Sequence, residues 1–148
     1  MIEGVEFEKL FSVEDERGII RHFMRNDDPF FTHFGEVYFS TVYPDTVKGW
    51  HLHTKMTLNY VCVVGKILVA LINPKTGEVE EFNLEDHGDN YMRLVVPPGV
   101  WNGFRAPVGW AEPVTIANLT DIPHDPEEVQ RFSPDEFEYD WGPYQVGG

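Results

Sequence analysis

The segment Lys48-Gly49-Trp50-His51-Leu52-His53-Thr54-Lys55 gathers the side chains of this sequence best suited to chemistry. His51 and His53 stand two apart, so on an extended strand both imidazoles leave one face while Trp50 and Leu52 leave the other. Lys55 keeps the histidine parity if the strand continues, and Lys48 adjoins the same face. A neutral imidazole can take a proton from a C–H bond beside a carbonyl, and an ammonium can stabilise the oxyanion that forms. Two imidazoles on one strand can equally begin a metal site. The segment alone leaves both chemistries open.

Strands have to position these groups. Glu36 to Tyr43 is β-branched and aromatic, and Pro44-Asp45 turns it into the histidine segment. Beyond the histidines, Val61–Val64 and Ile67–Ile72 are apolar runs around Gly65-Lys66, the pattern of a hairpin or a sharply bent strand. Asn73 to Gly77 is a turn, Glu78 to Leu84 alternates with period 2, and Arg93 to Val96 stops at Pro97-Pro98-Gly99. Gly103 to Arg105 and Val114 to Leu119 continue the series. Residues 1–14 read as an arm, Asp15 to Gly18 as a turn and Ile19 to Met24 as a strand. Asp125 to Arg131 is the one helix candidate, with Pro126 at its start and acids in its first turn. From about residue 120 to 148 the chain is acidic and proline-rich, as a solvated tail would be. Short strands at regular spacing in one domain predict an all-β sandwich or barrel with little helix.

At 148 residues the chain can bury a full core without disulfides. Its net charge of −14 excludes nucleic acid and anionic membrane as partners, because 11 Lys and Arg cannot build a basic face against 25 acids. A small anion stays possible, since a few cations can dominate a concave site locally. Cys62 is the only cysteine and lies in an apolar run, so a buried thiol is expected and no internal disulfide can form. With an acidic N-terminus and no apolar stretch near the ~20 residues a membrane helix needs, the sequence predicts a soluble, cytoplasmic protein.

Gly49-x-His51-x-His53, Gly65, and Pro98-Gly99-x-x-Asn102-Gly103-Phe104 resemble the two signature segments of the cupin jelly roll. Asp15-Glu16-Arg17-Gly18 narrows the resemblance to the dTDP-4-dehydrorhamnose 3,5-epimerase family, over roughly residues 4–142. Lys48-Gly49-Trp50-His51 stands where that family has Arg-Gly-Leu-His, and Pro98 to Phe104 where it has Pro-x-Gly-Phe-Ala-His-Gly-Phe. Lys48 to Lys55 is also similar to the Arg-Gly-Phe-His-x-His-x-Lys segment of the dTDP-sugar 3,4-ketoisomerases.

The resemblance implies a cupin β-barrel, a homodimer, and a nucleotide-linked 4-keto-6-deoxy sugar, dTDP-linked, used in surface-polysaccharide synthesis. His51 falls on the family's catalytic base, and Arg17 on an arginine that holds the nucleotide diphosphate, often across the dimer interface. His53, Tyr38 or both would then assist proton transfer. Asn59, Lys48 or Lys55 would polarise the ketone, Arg105 would join Arg17 on the diphosphate, and Asn102 and Trp101 would contact substrate. Enolate chemistry of this kind needs no cofactor. A metal-binding cupin needs a glutamate where this chain has Thr57 or Leu58 and a third histidine at Asn102, so no metal is expected. The epimerases also carry a tyrosine acid in the strand matching Val114 to Leu119 and an aspartate partner for the base in a C-terminal extension. Val114 to Leu119 holds no tyrosine, and the aspartate partner is not expected, since the sequence stops about where that extension would begin. Isomerisation or single epimerisation is favoured over double epimerisation, and a non-catalytic sugar-nucleotide binder or a metal-dependent cupin enzyme are the alternatives.

Overall fold

The protein is described here by a computed structural model covering residues 1–145. Residues 146–148, the end of the expected acidic tail, lie outside the described residues. Among the described residues twelve strands carry the fold: β1 (Glu6–Lys9), β2 (Ser12–Asp15), β3 (Gly18–Arg21), β4 (Glu36–Val42), β5 (Val47–His53), β6 (Leu58–Val64), β7 (Lys66–Ile72), β8 (Val79–Glu85), β9 (Met92–Val96), β10 (Trp101–Arg105), β11 (Val114–Thr120) and β12 (Val129–Arg131). A 3₁₀ turn at Gly88–Asn90 is the only helical element among the described residues. One five-stranded sheet has the order β1-β9-β6-β11-β4 and the other β12-β5-β10-β7-β8, while β2 and β3 form a separate hairpin. Every ladder is antiparallel. This is the all-β architecture that the strand spacing predicted, in the jelly-roll form that the resemblance implied.

The core follows from side-chain alternation. Leu58, Tyr60 and Cys62 of β6 point inward, with Leu94, Val96 and Ile116, and meet Val69, Leu71, Phe82, Leu84 and Phe104 of the opposite sheet. Burial raises the Cys62 thiol to about 12, so it stays an inert core group. The outer faces are covered as well. Val61 and Ala117 lie beneath Leu10 and Tyr91, and Trp50, Leu52, Ala70, Ile72 and Trp101 lie beneath the C-terminal segment. Burial on both faces explains why the central strands are nearly continuous apolar runs.

Gly65 decides between the two patterns open at residues 61–72. β6 and β7 belong to different sheets, so the chain bends there instead of forming a hairpin. Gly65 adopts φ 85°, and a Cβ on it would stand 2.8 Å from Val114 Cγ1.

Two expectations are corrected. Residues 125–131 are not a helix: Asp125 caps a turn through Glu127 N (3.0 Å), and Val129 to Arg131 form β12 on the edge of β5. A seven-residue helix is marginal, whereas three strand residues gain ladder bonds immediately. The C-terminal segment is also no free tail. Phe137, Tyr139 and Trp141 alternate with Glu136, Glu138 and Asp140, so the aromatic side packs on Trp50 at centroid distances of 5.4, 5.6 and 5.0 Å while the acids stay in water.

Candidate active site

A cavity of about 420 Å³ is lined by side chains of β4, β5 and β12 together with Tyr60, Phe104 and Ile116 of the barrel interior. That lies within the ~300–1,000 Å³ usual for small-molecule sites. β5 contributes His51 and His53, which leave the same face as the parity rule required, while Trp50 and Leu52 pack outward. Lys48 has the opposite parity yet also lines the cavity. The register explains it: Asn102 pairs with His51 but Phe104 pairs with Lys48, so β5 carries one extra residue between them. That bulge turns Lys48 onto the histidine side.

β12 completes the wall. Its register sets Val129 opposite His53 and Arg131 opposite His51, and both side chains line the cavity. Glu128, just before it, is buried and places Oε1 2.5 Å from His53 Nδ1. Its Oε2 accepts the backbone N–H groups of Lys55 and Met56, each at 3.2 Å. Across the cavity, Tyr38 of β4 receives a hydrogen bond from Asn118 Nδ2 at 2.9 Å, and Lys48 Nζ donates to Ser40 Oγ at 2.9 Å.

The electrostatics separate the two imidazoles. Burial, helped by the charges of Arg131, His53 and Lys48, lowers His51 to about 4. It is therefore neutral near pH 7, and among the described residues neither of its ring nitrogens has a hydrogen-bond partner. Burial pushes Glu128 upward, but the hydrogen bonds from His53 and from the Lys55 and Met56 amides outweigh it and leave the carboxyl below its ordinary range. Burial raises Tyr38 and lowers Lys48. Lys9, Arg17, Arg25, Lys66 and Arg93 are spent on carboxylates, whereas Lys48 and Arg131 have no carboxylate partner among the described residues. Two cations without a carboxylate partner among the described residues therefore face one cavity in a strongly acidic protein.

Of the expected site residues, the structure brings together His51, His53, Tyr38 and Lys48. The others lie elsewhere, each for a local reason. β5 ends at His53, so Lys55 turns out to solvent. Asn59 follows the outward parity of β6 and donates to Leu119 O at 3.0 Å behind the sheet. Trp101 and Arg105 occupy the outward positions of β10: Trp101 stacks on Phe132 at 4.6 Å, and Arg105 holds the carbonyls of Trp141 (2.7 Å) and Pro143 (3.0 Å). Asn102 is buried behind the wall, accepting from the Tyr60 hydroxyl (2.8 Å) and donating to His51 O (3.0 Å). It supports the histidine strand without reaching the cavity. Arg17 sits on the exposed β2–β3 hairpin, paired with Asp15 at 2.7 Å. A helix over 125–131 would not bring Glu128 and Arg131 to the histidines, and the strand β12 does. Val129 and Arg131, two apart after the 125–126 turn, were the available strand signal. No group of three or more His, Cys, Asp or Glu side chains placed to hold a metal ion occurs among the described residues.

Fold and cavity together define a cupin of the sugar-nucleotide epimerase and ketoisomerase kind. The chain belongs to the FdtA family (WxcM-like, C-terminal), whose model matches residues 3–133. It is 32% identical over 152 residues to the spore coat polysaccharide biosynthesis protein SpsL of Bacillus subtilis (strain 168), covering 99% of this chain and 95% of SpsL. Among solved structures it is similar to a dTDP sugar isomerase from Desulfovibrio desulfuricans G20 (TM-score 0.84, 39% identity, 90% of this chain and 87% of that one). It also shares its fold with the 3,4-ketoisomerase QdtA from Thermoanaerobacterium thermosaccharolyticum (TM-score 0.74, 22% identity, 89% of this chain and 90% of that one). No described helix is long and apolar enough to cross a membrane.

Proposed function

We propose that this protein is an isomerase of a dTDP-linked 4-keto-6-deoxy sugar, moving the ketone from C4 to C3 or inverting one neighbouring carbon, in surface-polysaccharide synthesis. The observation that carries the proposal is His51: a neutral imidazole, lowered to about 4 and without a hydrogen-bond partner among the described residues, facing a cavity that also holds His53, Tyr38 and the cations Lys48 and Arg131. The dTDP sugar isomerase that is 39% identical supports the substrate class, and SpsL supports the pathway.

In ketoisomerisation the C4 ketone acidifies the C3–H bond. His51 takes that proton while protonated His53, or the Tyr38 hydroxyl, delivers one to O4, giving a C3–C4 enediol. His51 then returns its proton to C4, and the second group removes the O3 proton, leaving a C3 ketone with both groups restored. In single epimerisation the same base would remove the proton and the second group would return one to the opposite face. Lys48 and Arg131 would offset the charge that develops on oxygen and the charge of the diphosphate. No step calls for a cofactor. Arg17 would meet the diphosphate from a second copy of the chain, since the β2–β3 region exposes Phe11, Val13 and Ile20 and β4 exposes Val37 and Phe39.

The absence of a tyrosine in β11 favours a second possibility, a cupin that binds the sugar nucleotide without turning it over. Incubation with dTDP-4-keto-6-deoxyglucose in deuterated water separates the two. The expected result is deuterium at C3, C4 or C5 with an isomeric product by NMR. Tight binding with unlabelled, unchanged substrate would establish the binder instead.

A further inference from the structure

Glu128 has no counterpart in the roles above, yet it is among the most buried charged side chains in the protein, 2% exposed. It stands 75 residues from His53 in sequence and is delivered by the strand addition of β12 to β5. Both its oxygens are committed. Oε2 takes two backbone N–H groups, from Lys55 and Met56, at the turn that ends the histidine strand, and Oε1 meets His53 Nδ1 at 2.5 Å. A buried carboxyl that accepts two amide donors on one oxygen is held as the carboxylate, which only accepts hydrogen bonds. The proton in the Glu128–His53 contact therefore belongs to Nδ1. Nε2 is then the nitrogen left for the cavity that His53 lines.

We propose that Glu128 is the positioning residue of the site, fixing His53 in the Nδ1–H tautomer so that Nε2 exchanges protons with the substrate. The inference rests on the proposed isomerase activity for its consequence in rate, but the tautomer itself does not. The two imidazoles thereby divide the work. His51, without a partner, is free to move a proton between adjacent carbons, while His53, oriented by a carboxylate, serves the oxygens. The backbone donors also determine what a substitution does. In Glu128→Gln the amide oxygen has to face the Lys55 and Met56 N–H groups, which turns the amide NH₂ toward His53 Nδ1. A donor at that position forces Nδ1 to become the acceptor and moves the ring proton to Nε2. The shape is kept and the tautomer is inverted.

The test is nitrogen-15 NMR of the imidazoles, with the His53 signals assigned by their loss in H53N, together with steady-state kinetics on the dTDP-4-keto sugar. In its neutral form His53 of the wild-type protein should show a protonated Nδ1 and a bare Nε2, and E128Q the reverse, while the ring that serves O4 as acid carries a second proton on Nε2. In E128Q kcat should fall by about 10²–10⁴-fold with KM little changed, as expected when a catalytic histidine is held in the wrong tautomer. Glu128→Asp, which keeps the carboxylate, should restore the Nδ1–H tautomer and part of the rate. A neutral His53 in the wild type with Nδ1 bare and its proton on Nε2 would overturn the proposal even if E128Q fails to fold. So would an E128Q protein that keeps the wild-type tautomer, whatever happens to its rate, because loss of rate alone would mark a structural role. Wild-type protein with the expected tautomer but no turnover would remove the isomerase activity and leave the Glu128–His53 pairing standing.

Discussion

The chemistry assigned to His51 requires an uncharged ring when substrate arrives, and burial supplies that condition. Its environment includes Lys48, Arg131, His53, Tyr38 and Glu36, and the neighbouring positive charges reinforce the desolvation. With His51 at about 4 instead of 6.5, loss of kcat/KM from protonation of this base in the free enzyme should appear near pH 4, not near pH 6.5. The same shift has a stability consequence whose sign follows from linkage. Between pH 6.5 and about 4 the unfolded chain binds this proton and the folded one does not, so stability falls as pH falls through that window and is unaffected above it. Urea melts at pH 7 and pH 5 should show H51N losing less stability than wild type on acidification, by on the order of 1–2 kcal/mol. H51N should also lose ~10²–10⁴ in turnover, and unchanged turnover would assign the base elsewhere. The histidine pair was legible in the sequence because parity is local. Glu128 was not, because its partnership with His53 spans 75 residues and no spacing rule reaches that far.

At the scale of elements, the site depends on one irregularity. Lys48 joins the histidines only because β5 carries an extra residue where it passes Gly103 of β10. Gly103 permits this by close approach: a Cβ there would lie 2.9 Å from Trp141 Cζ2 and 3.1 Å from Gly49 Cα. Gly103→Ala should cost about 1–3 kcal/mol in a urea melt, as overpacking does, and should weaken dTDP binding by calorimetry as Lys48 is displaced. A wild-type melt would show that the bulge has slack. Strict alternation predicted strands well and sites unevenly. It placed His51 and His53, and it was extended to Lys55 past the end of β5. Asn59 and Trp101 stand at or beside motif positions and Arg105 follows the second motif, but strand parity sends all three outward. The acids of the C-terminal segment suggest a solvated tail, but Phe137, Tyr139 and Trp141 occupy the alternate positions and pack that side onto the sheet.

At the scale of the whole molecule, Arg17 and the cavity pose the remaining question of assembly. The hairpin that carries Arg17 pairs with neither sheet and exposes Phe11, Val13 and Ile20. The proposed homodimer would cover such a surface and bring Arg17 of one copy to the His51 of the other. A two-fold arrangement makes this testable without a structure of the complex. R17A dimers would lack the guanidinium at both sites, and H51A dimers would lack the base at both. In a mixed dimer one site would combine His51 from the R17A chain with Arg17 from the H51A chain and would be intact. The other would carry both lesions. Co-expression at equal levels gives mixed dimers as about half the population, each with one of two sites intact, so about a quarter of wild-type activity should return. An arginine acting on the cavity of its own chain would leave every site in the mixture with one lesion, and activity would stay at the level of the separate variants.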